Sequence, residues 1–393
     1  MKKLLIIGAS VLQLPAIQKA KEKGYYVGVI DYNPNAVGVP YADEFFEVST
    51  IDADGVTEVA KTFCPDGIMT LATDMPMRSI AQATRACGLP GITAETALKS
   101  TDKGEMIKAF EAHGVAHPWY RIVNTEKELR ETADRITYPC IMKPTDNSGS
   151  RGVVLVKDRE ALIDAYEYTH AQSRSGGVIV EEYLCGNEVS VEIMVVDGEP
   201  TVLQITDKLT TGAPHFVEMG HSQPSRLPDA SQEAIRALAS AAVRAVGIGC
   251  GPAHVEIMMT EKGPKMIELG ARMGGDCITT HLVPLSTGID MVSATMDVAC
   301  GIAPDITPKL HRGSAIRYFN PPCGVIRAIE GLDEARAIEG VREITLVKAV
   351  GETVGSIGSS TDRAGFVIAQ ADTPEEAVKI CERACETVRI VTR

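Results

Sequence analysis

Four short apolar runs separated by helix-patterned segments dictate the architecture of the amino-terminal quarter of this chain. Leu4–Ile7, Tyr26–Ile30, Phe45–Val48 and Gly67–Leu71 have the length and apolar character of buried strands, while Leu12–Lys23, Val56–Phe63 and Met77–Cys87 carry helical spacing. Strand, crossover helix and strand in succession build a parallel sheet wound with helices, so a Rossmann-like first domain is expected over residues 1–97. Gly8 stands where a G-x-G-x-x-G fingerprint would begin, but Ser10 and Gln13 occupy its second and third glycine positions. Asp31 alone cannot restore a dinucleotide site, and Gly8 is read as a residue that permits a tight strand-to-helix turn.

The parallel rhythm stops at Thr101. A helix over Lys103–His113, a Pro-marked loop, a helix near Thr125–Arg135 and hairpin-like strands around a glycine-rich turn follow. Residues 305–393 return to short strands, Ser314–Tyr318, Glu343–Val350 and Gly365–Gln370, before a closing helix from Thr373 to about Val388. That helix opens with a cap, a first-turn proline and two acids at the positive end of its dipole. A chain of 393 residues exceeds what one core usually serves, so two or three domains around a cleft are expected.

Composition narrows the partners. A net charge of −13 with no basic stretch repels nucleic acid and leaves small molecules as the expected ligands. No apolar run approaches the roughly 20 residues of a membrane span, and the stretch after Met1-Lys2-Lys3 is too short for a signal-peptide core, which points to the cytoplasm. Ten cysteines without a C-x-x-C pair argue against a zinc ribbon or a redox dithiol.

Four elements carry chemistry. Cys140-Ile141-Met142-Lys143-Pro144 and the loop Thr145–Gly152 read as a strand ending in lysine and then small residues, able to offer N–H groups and a point charge to phosphates, or to serve as an ordinary hairpin turn; the Walker spacing is absent. Val178–Leu184 is an apolar strand running into two acids, with Glu188 following Gly186, a hinge that can present backbone groups to an adenine edge and a later acid to ribose hydroxyls. Counting from the turn Thr260–Pro264, Glu256 and Glu268 face one another across an antiparallel pair, with Ile257 and Ile267 on the opposite face. Two such carboxylates repel, and they are best explained by a shared hard cation such as Mg2+, the alternative being two solvated strand acids. Beyond them, Arg272 in Gly270–Asp276 can approach a reacting phosphoryl group.

In this order, along essentially the whole chain, these elements resemble the ATP-grasp superfamily. The resemblance implies an α/β and α+β protein: an ATP-grasp domain over 98–304 with a mobile lid at about 115–187, preceded by the Rossmann-like domain and followed by a small α+β domain over 305–393. It implies that Lys103 and Lys143 contact phosphates, that Ser148, Gly149, Ser150 and Gly152 belong to the glycine-rich lid, and that Glu181, Glu182, Tyr183 and Leu184 form the adenine hinge. Glu188 would hold the ribose, Glu256 and Glu268 would hold Mg2+, with Mn2+ as a substitute, and Arg272 would steady the acyl phosphate or hold the substrate carboxylate. Gly270 stands where many relatives have Asn, which puts more weight on the two glutamates or on a water. Many members are dimers, so a homodimer is consistent with the resemblance.

Glu268–Asp276, Ser286–Asp290 and the tail segments Pro321–Ile326 and Asp362–Val367 look most like amino-acid ligases that make dipeptides and their carbamoyl-phosphate-synthetase-like relatives. In that branch Pro214–His221 borders the substrate site, so Glu218 and His221 either contact an amino group or a phosphate, or shape a loop. The implied activity is carboxylate-amine ligation driven by ATP through an acyl phosphate. The alternatives are a purine-biosynthesis-type ligase or carboxylating enzyme, and a nucleotide-binding regulatory protein without turnover. No Met-Lys-Met segment supports biotin.

Overall fold

Strands β1 (Lys3–Ile7), β2 (Tyr26–Asp31), β3 (Glu44–Glu47) and β4 (Gly67–Met69) form an all-parallel sheet in the order β3-β2-β1-β4, as the amino-terminal alternation requires. Helices cover both faces of β1, so Leu4 through Ile7 are all fully buried and the strand reads as an uninterrupted apolar run. The computed structural model describes every residue of 1–393 except 148 and 150, so the lid assignments of Ser148 and Ser150 lie outside the described residues.

At the carboxyl end of β1, Gly8 takes φ +100° and donates its N–H to the Ile30 carbonyl. Asp31 accepts the Ala9 N–H, while the Gln13 carboxamide oxygen accepts from both the backbone and the hydroxyl of Ser10. A side chain at position 8 would meet Gln13 at 2.8 Å. The residues that break the dinucleotide fingerprint thus also fill its turn and engage its donors.

A second, antiparallel sheet is built from β5 (Tyr120–Val123), β6 (Cys140–Pro144), β7 (Val154–Val156) and β8 (Val178–Glu182), in the order β5-β8-β6-β7. Next in the chain come β9 (Asn187–Val196), β10 (Glu199–Thr210), β11 (Glu218–Gln223), β12 (Gly251–Thr260) and β13 (Gly263–Gly270). The remaining strands are β14 (Gly313–Tyr318), β15 (Gly324–Glu330), β16 (Val341–Leu346), β17 (Thr353–Val354), β18 (Gly365–Ala371) and β19 (Arg389–Thr392). An eight-stranded sheet runs β13-β12-β9-β10-β11-β14-β18-β16, so three carboxy-terminal strands extend the central sheet, and β17-β15-β19 form a small sheet of their own.

The helix Asp229–Val246 lays Ile235, Ala239, Ala242 and Val243, all fully buried, into the core beside β12 and β13. At the carboxyl end, Thr373 and Glu376 form a reciprocal capping box with Pro374 in the first turn, and the helix Pro374–Thr387 starts where the sequence places it.

Candidate active site

Two strand pairs set the charged side chains opposite one another. In the β6–β8 register Ile141 pairs with Glu181 and Lys143 with Ile179, which makes Lys143 and Glu181 diagonal neighbours on one face. Their side chains, each 7% exposed, meet at 2.6 Å. In the β12–β13 register Glu256 pairs directly with Glu268. A register shift follows at Glu256/Ile257, so the partner of Ile257 is Met266 rather than Ile267. Ile257 and Met266 are fully buried, whereas Ile267 lines a cavity, which corrects the facing expected from simple alternation.

Each glutamate of that pair has its own lysine. Lys103 begins the helix Lys103–Ala112 behind the Asp102 cap; its Nζ lies 3.0 Å from Glu268 and donates to the Asn147 carbonyl at 2.8 Å. Burial pulls the Lys103 ammonium down, but Glu268 outweighs it and holds the group above its ordinary range. On the other side Lys208, whose side chain is 3% exposed, reaches Glu188 at 2.5 Å, Glu256 at 3.3 Å and Glu218 at 3.6 Å. Burial opposes its charge, yet the three carboxylates raise it well above the usual lysine value. Burial likewise pushes the Glu256 carboxyl up, and Lys208 and the His254 imidazole reverse this and hold it well below the carboxylate range.

His254 is itself held by Glu192, a fully buried carboxylate 2.6 Å from its Nδ1. Burial disfavours the imidazolium, but Glu192 and Glu256 raise its pKa to about 9, so the ring is charged at neutral pH.

Arg272 is clamped from another part of the chain. Its Nε and Nη2 donate to the two oxygens of Asp74, at 3.0 and 3.1 Å, and Asp74 follows β4 of the parallel sheet. Burial works against the guanidinium charge, and Asp74 more than offsets it. A side chain at Gly270 would begin 2.4 Å from Asp74 Oδ1. The glycine that departs from the family pattern is therefore the residue that lets Asp74 reach Arg272.

These groups border two adjoining cavities. One lies between the second sheet and the eight-stranded sheet, lined by Ile141, Lys143, Gly149, Glu181, Glu182, Tyr183, Leu184, Glu188, Phe216, Glu218, Met258 and Ile267. The other is more polar and is lined by Asp74, Arg78, Thr101, Asp146, Arg174, His254 and Arg272. Lys103, Asn147, Glu256 and Glu268 line both and form their common wall.

The expected residues do not all stand alike. Glu182 carries a 2.6 Å ion pair to Lys265 at the cavity edge, and Gly152, at φ +80°, packs against Pro144 at the base of the β6–β7 turn. Glu218 and His221 lie on β11, not on a loop. Glu218 lines the first cavity, whereas His221 is 2% exposed and faces Asp276 at 3.3 Å, outside the lining of both. Asp276 is also gripped by both terminal nitrogens of Arg363 at 2.8 Å, and that guanidinium stacks on Tyr318 at 3.7 Å. Burial would raise the Asp276 carboxyl, but Arg363 and His221 hold it far below its usual value.

Sequence reasoning missed Lys208, Glu192, Asp74 and Arg363. Glu192 had one legible signal, a charge inside a strand otherwise patterned for burial, whereas Lys208 stands in the mixed run Thr206-Asp207-Lys208-Leu209-Thr210 and had none. Asp74 and Arg363 had none, since their partners are 198 and 87 residues away in sequence.

Residues 136–280 match the family model described as the ATP-grasp domain, and residues 317–393 match that of the L-amino acid ligase C-terminal domain 2. The chain thus carries an ATP-grasp domain followed by an L-amino acid ligase C-terminal domain. This ATP-grasp chain is similar to the Sinorhizobium fredii protein y4rH, 29% identical over 360 residues, which cover 88% of this chain and 74% of that one. It is similar to alanine–anticapsin ligase of Bacillus subtilis strain 168, 27% identical over 316 residues; the match covers 74% of this chain and 66% of that protein's length. Its fold matches the crystal structure of L-amino acid ligase from Bacillus licheniformis with a TM-score of 0.86 at 23% identity, over 100% of this chain and 99% of that one.

Proposed function

We propose that this protein is an ATP- and Mg2+-dependent ligase that activates the carboxylate of one amino acid as an acyl phosphate and joins it to the amine of another. The observation that carries this reading is the common wall of Lys103, Asn147, Glu256 and Glu268 between a slot with apolar flanks and a polar cavity holding Arg272. A nucleotide lying in the slot along Tyr183, Leu184, Met258 and Ile267 brings its terminal phosphate to that wall, and a carboxylate in the polar cavity approaches from the other side.

The donor set fits Mg2+. Glu256 and Glu268 are paired hard oxygen donors, and among the described residues no cluster of three or more His, Cys, Asp or Glu forms an all-protein cage. Such a site suits an ion that takes its other ligands from phosphate and water. When bound, Mg2+ would neutralise phosphate oxygens at the transfer step.

The remaining work falls to side chains. Lys103 and Lys143 supply positive charge along the phosphates, and Glu181, which holds Lys143, fixes where that charge sits. Glu188 serves ribose hydroxyls while Lys208 holds its carboxylate in place. Arg272, oriented by Asp74, faces the charge that develops as the carboxylate oxygen attacks the γ-phosphorus and ADP departs. The amine, having lost a proton, then attacks the acyl carbon, and phosphate leaves with the original carboxylate oxygen. The glycine-rich segment containing Gly149 and Gly152 would shield the acyl phosphate from water. We take the reaction to be cytoplasmic, where ATP is supplied.

The test is incubation with ATP, Mg2+ and amino acids, singly and in pairs, following ADP release and product mass. ADP release that needs a pair, with a product equal in mass to their sum less water, is the expected result. Activity only with bicarbonate and an aminoimidazole nucleotide would overturn the amino-acid reading.

A further inference from the structure

The polar cavity encloses about 490 Å³, and its cations fall into two groups. Lys103 and Arg272, at the inner wall, are each held by a carboxylate, Glu268 and Asp74. Arg78 and Arg174 also line the cavity, yet among the described residues neither forms an ion pair with a carboxylate. Arg78, in the first turn of the helix Met77–Cys87, donates from Nε to the Thr101 hydroxyl at 2.8 Å, two residues before Lys103. Arg174 lies between the helix Leu162–Gln172 and β8; Asp146 accepts its backbone N–H at 3.1 Å, and its Nη1 lies 2.9 Å from Met75 Sδ. In a chain with 52 acidic and 39 basic residues, two such guanidiniums beside one cavity mark a place for an anion.

We propose that Arg78 and Arg174 together hold the unreacted carboxylate of the amine substrate, so that the cavity selects an α-amino acid, or a short peptide, joined through its amino group. This rests on the ligase reading above. Ligation consumes one carboxylate, which must lie against Arg272 and the common wall. The second substrate keeps its carboxylate throughout, and at neutral pH that group needs a cation of its own. A carboxylate can accept from two guanidiniums at once, and here they come from separate segments, one following β4 and one preceding β8. Neither arginine is a core residue; both are exposed at the rim, so their removal leaves the packing intact.

The experiment compares amino acids with their carboxamides as amine donors, at saturating ATP and carboxylate donor, in the wild type and in Arg78→Gln, Arg174→Gln and the double variant. Loss of one charge-assisted contact raises KM for the amine donor about tenfold or more. KM for ATP and for the carboxylate donor stays the same. The carboxamide, already a poor donor for the wild type, loses nothing further, and the double variant uses acid and carboxamide alike. Arg→Lys substitutions recover part of the loss. Equal use of acid and carboxamide by the wild type, or an effect confined to the carboxylate donor, overturns the proposal. Should no amino-acid pair release ADP, the ligase reading itself fails. Calorimetry with L-amino acids and their carboxamides, in the presence of Mg2+ and a non-hydrolysable ATP analogue, then decides separately: binding that ignores the carboxylate, or no binding, overturns the anion site.

Discussion

At the scale of single residues, the site is governed by which cation holds which carboxylate. Lys208 is the clearest instance, because Glu188, Glu218 and Glu256 converge on its buried ammonium at the wall of the first cavity. Its replacement by Met leaves three carboxylates facing one another and is expected to cost about 3–5 kcal/mol of unfolding free energy by denaturant titration. A loss below about 1 kcal/mol would mean that the network is solvated and contributes as surface pairs do. Gly270 gives a second prediction. Asn at this position puts its Cβ against Asp74, so Gly270→Asn separates Asp74 from Arg272 and lowers the ligation rate about tenfold or more, with the melting temperature little changed. Retained rate in that variant would show that Arg272 needs no clamp.

Lys143, Glu256, Glu268 and Arg272 were legible in the sequence because each sits in a segment whose pattern fixes its local structure: the end of an apolar strand, two strands flanking a short turn, and a glycine-flanked loop. Their partners were not legible. Asp74 pairs with Arg272 across 198 positions, and no local pattern encodes that distance.

At the scale of elements, the strands and helices of the amino-terminal segment follow directly from the alternation of apolar and helical patterns, with boundaries moved by up to three residues. The carboxy-terminal helix was equally legible, since its capping box is written in adjacent residues. Thr373→Ala removes half of that box and should lower stability by about 1 kcal/mol, measured by thermal or chemical denaturation. Short strands such as β17 and β19 escaped notice because two to four residues carry too little periodicity to separate from a loop. The bulge in β12–β13 escaped for a related reason: pairing arithmetic from the turn assumes an unbroken ladder.

The ion pair of Asp276, in the segment after β13, with Arg363, just before β18, is one tie between the two halves of the central sheet, and it carries a pH signature. A carboxyl whose folded value is depressed contributes stability that is present above its unfolded value near 3.8 and is lost as pH falls through the folded value. Arg363→Gln removes the main partner, so Asp276 takes up its proton at a higher pH in the variant than in the wild type. The stability gap between the two should be widest at neutral pH and narrow below about pH 4. A gap independent of pH would assign the loss to the Tyr318 stacking instead.

At the scale of the molecule, the candidate site belongs to no single segment. The second sheet gives Lys143 and Glu181, the eight-stranded sheet gives Glu256 and Glu268, and the segment that follows β4 of the parallel sheet gives Asp74 and Arg78. The carboxy-terminal strands join the central sheet and brace Asp276 beneath it, so a separate small domain is only part of the description. The order of motifs carried the superfamily in the sequence; the meeting of three sheets around one wall is a property of the fold.

The acyl phosphate is the centre of this account, and oxygen transfer tests it most directly. With the carboxylate donor labelled with ¹⁸O in both carboxyl oxygens, and with ATP, Mg2+ and the amine donor present, the released phosphate is analysed by mass spectrometry. The account predicts one ¹⁸O in each phosphate released, because the attacking carboxylate oxygen leaves on phosphorus. Unlabelled phosphate accompanying product formation would contradict it, since the carboxylate would then have been activated without bonding to the γ-phosphorus.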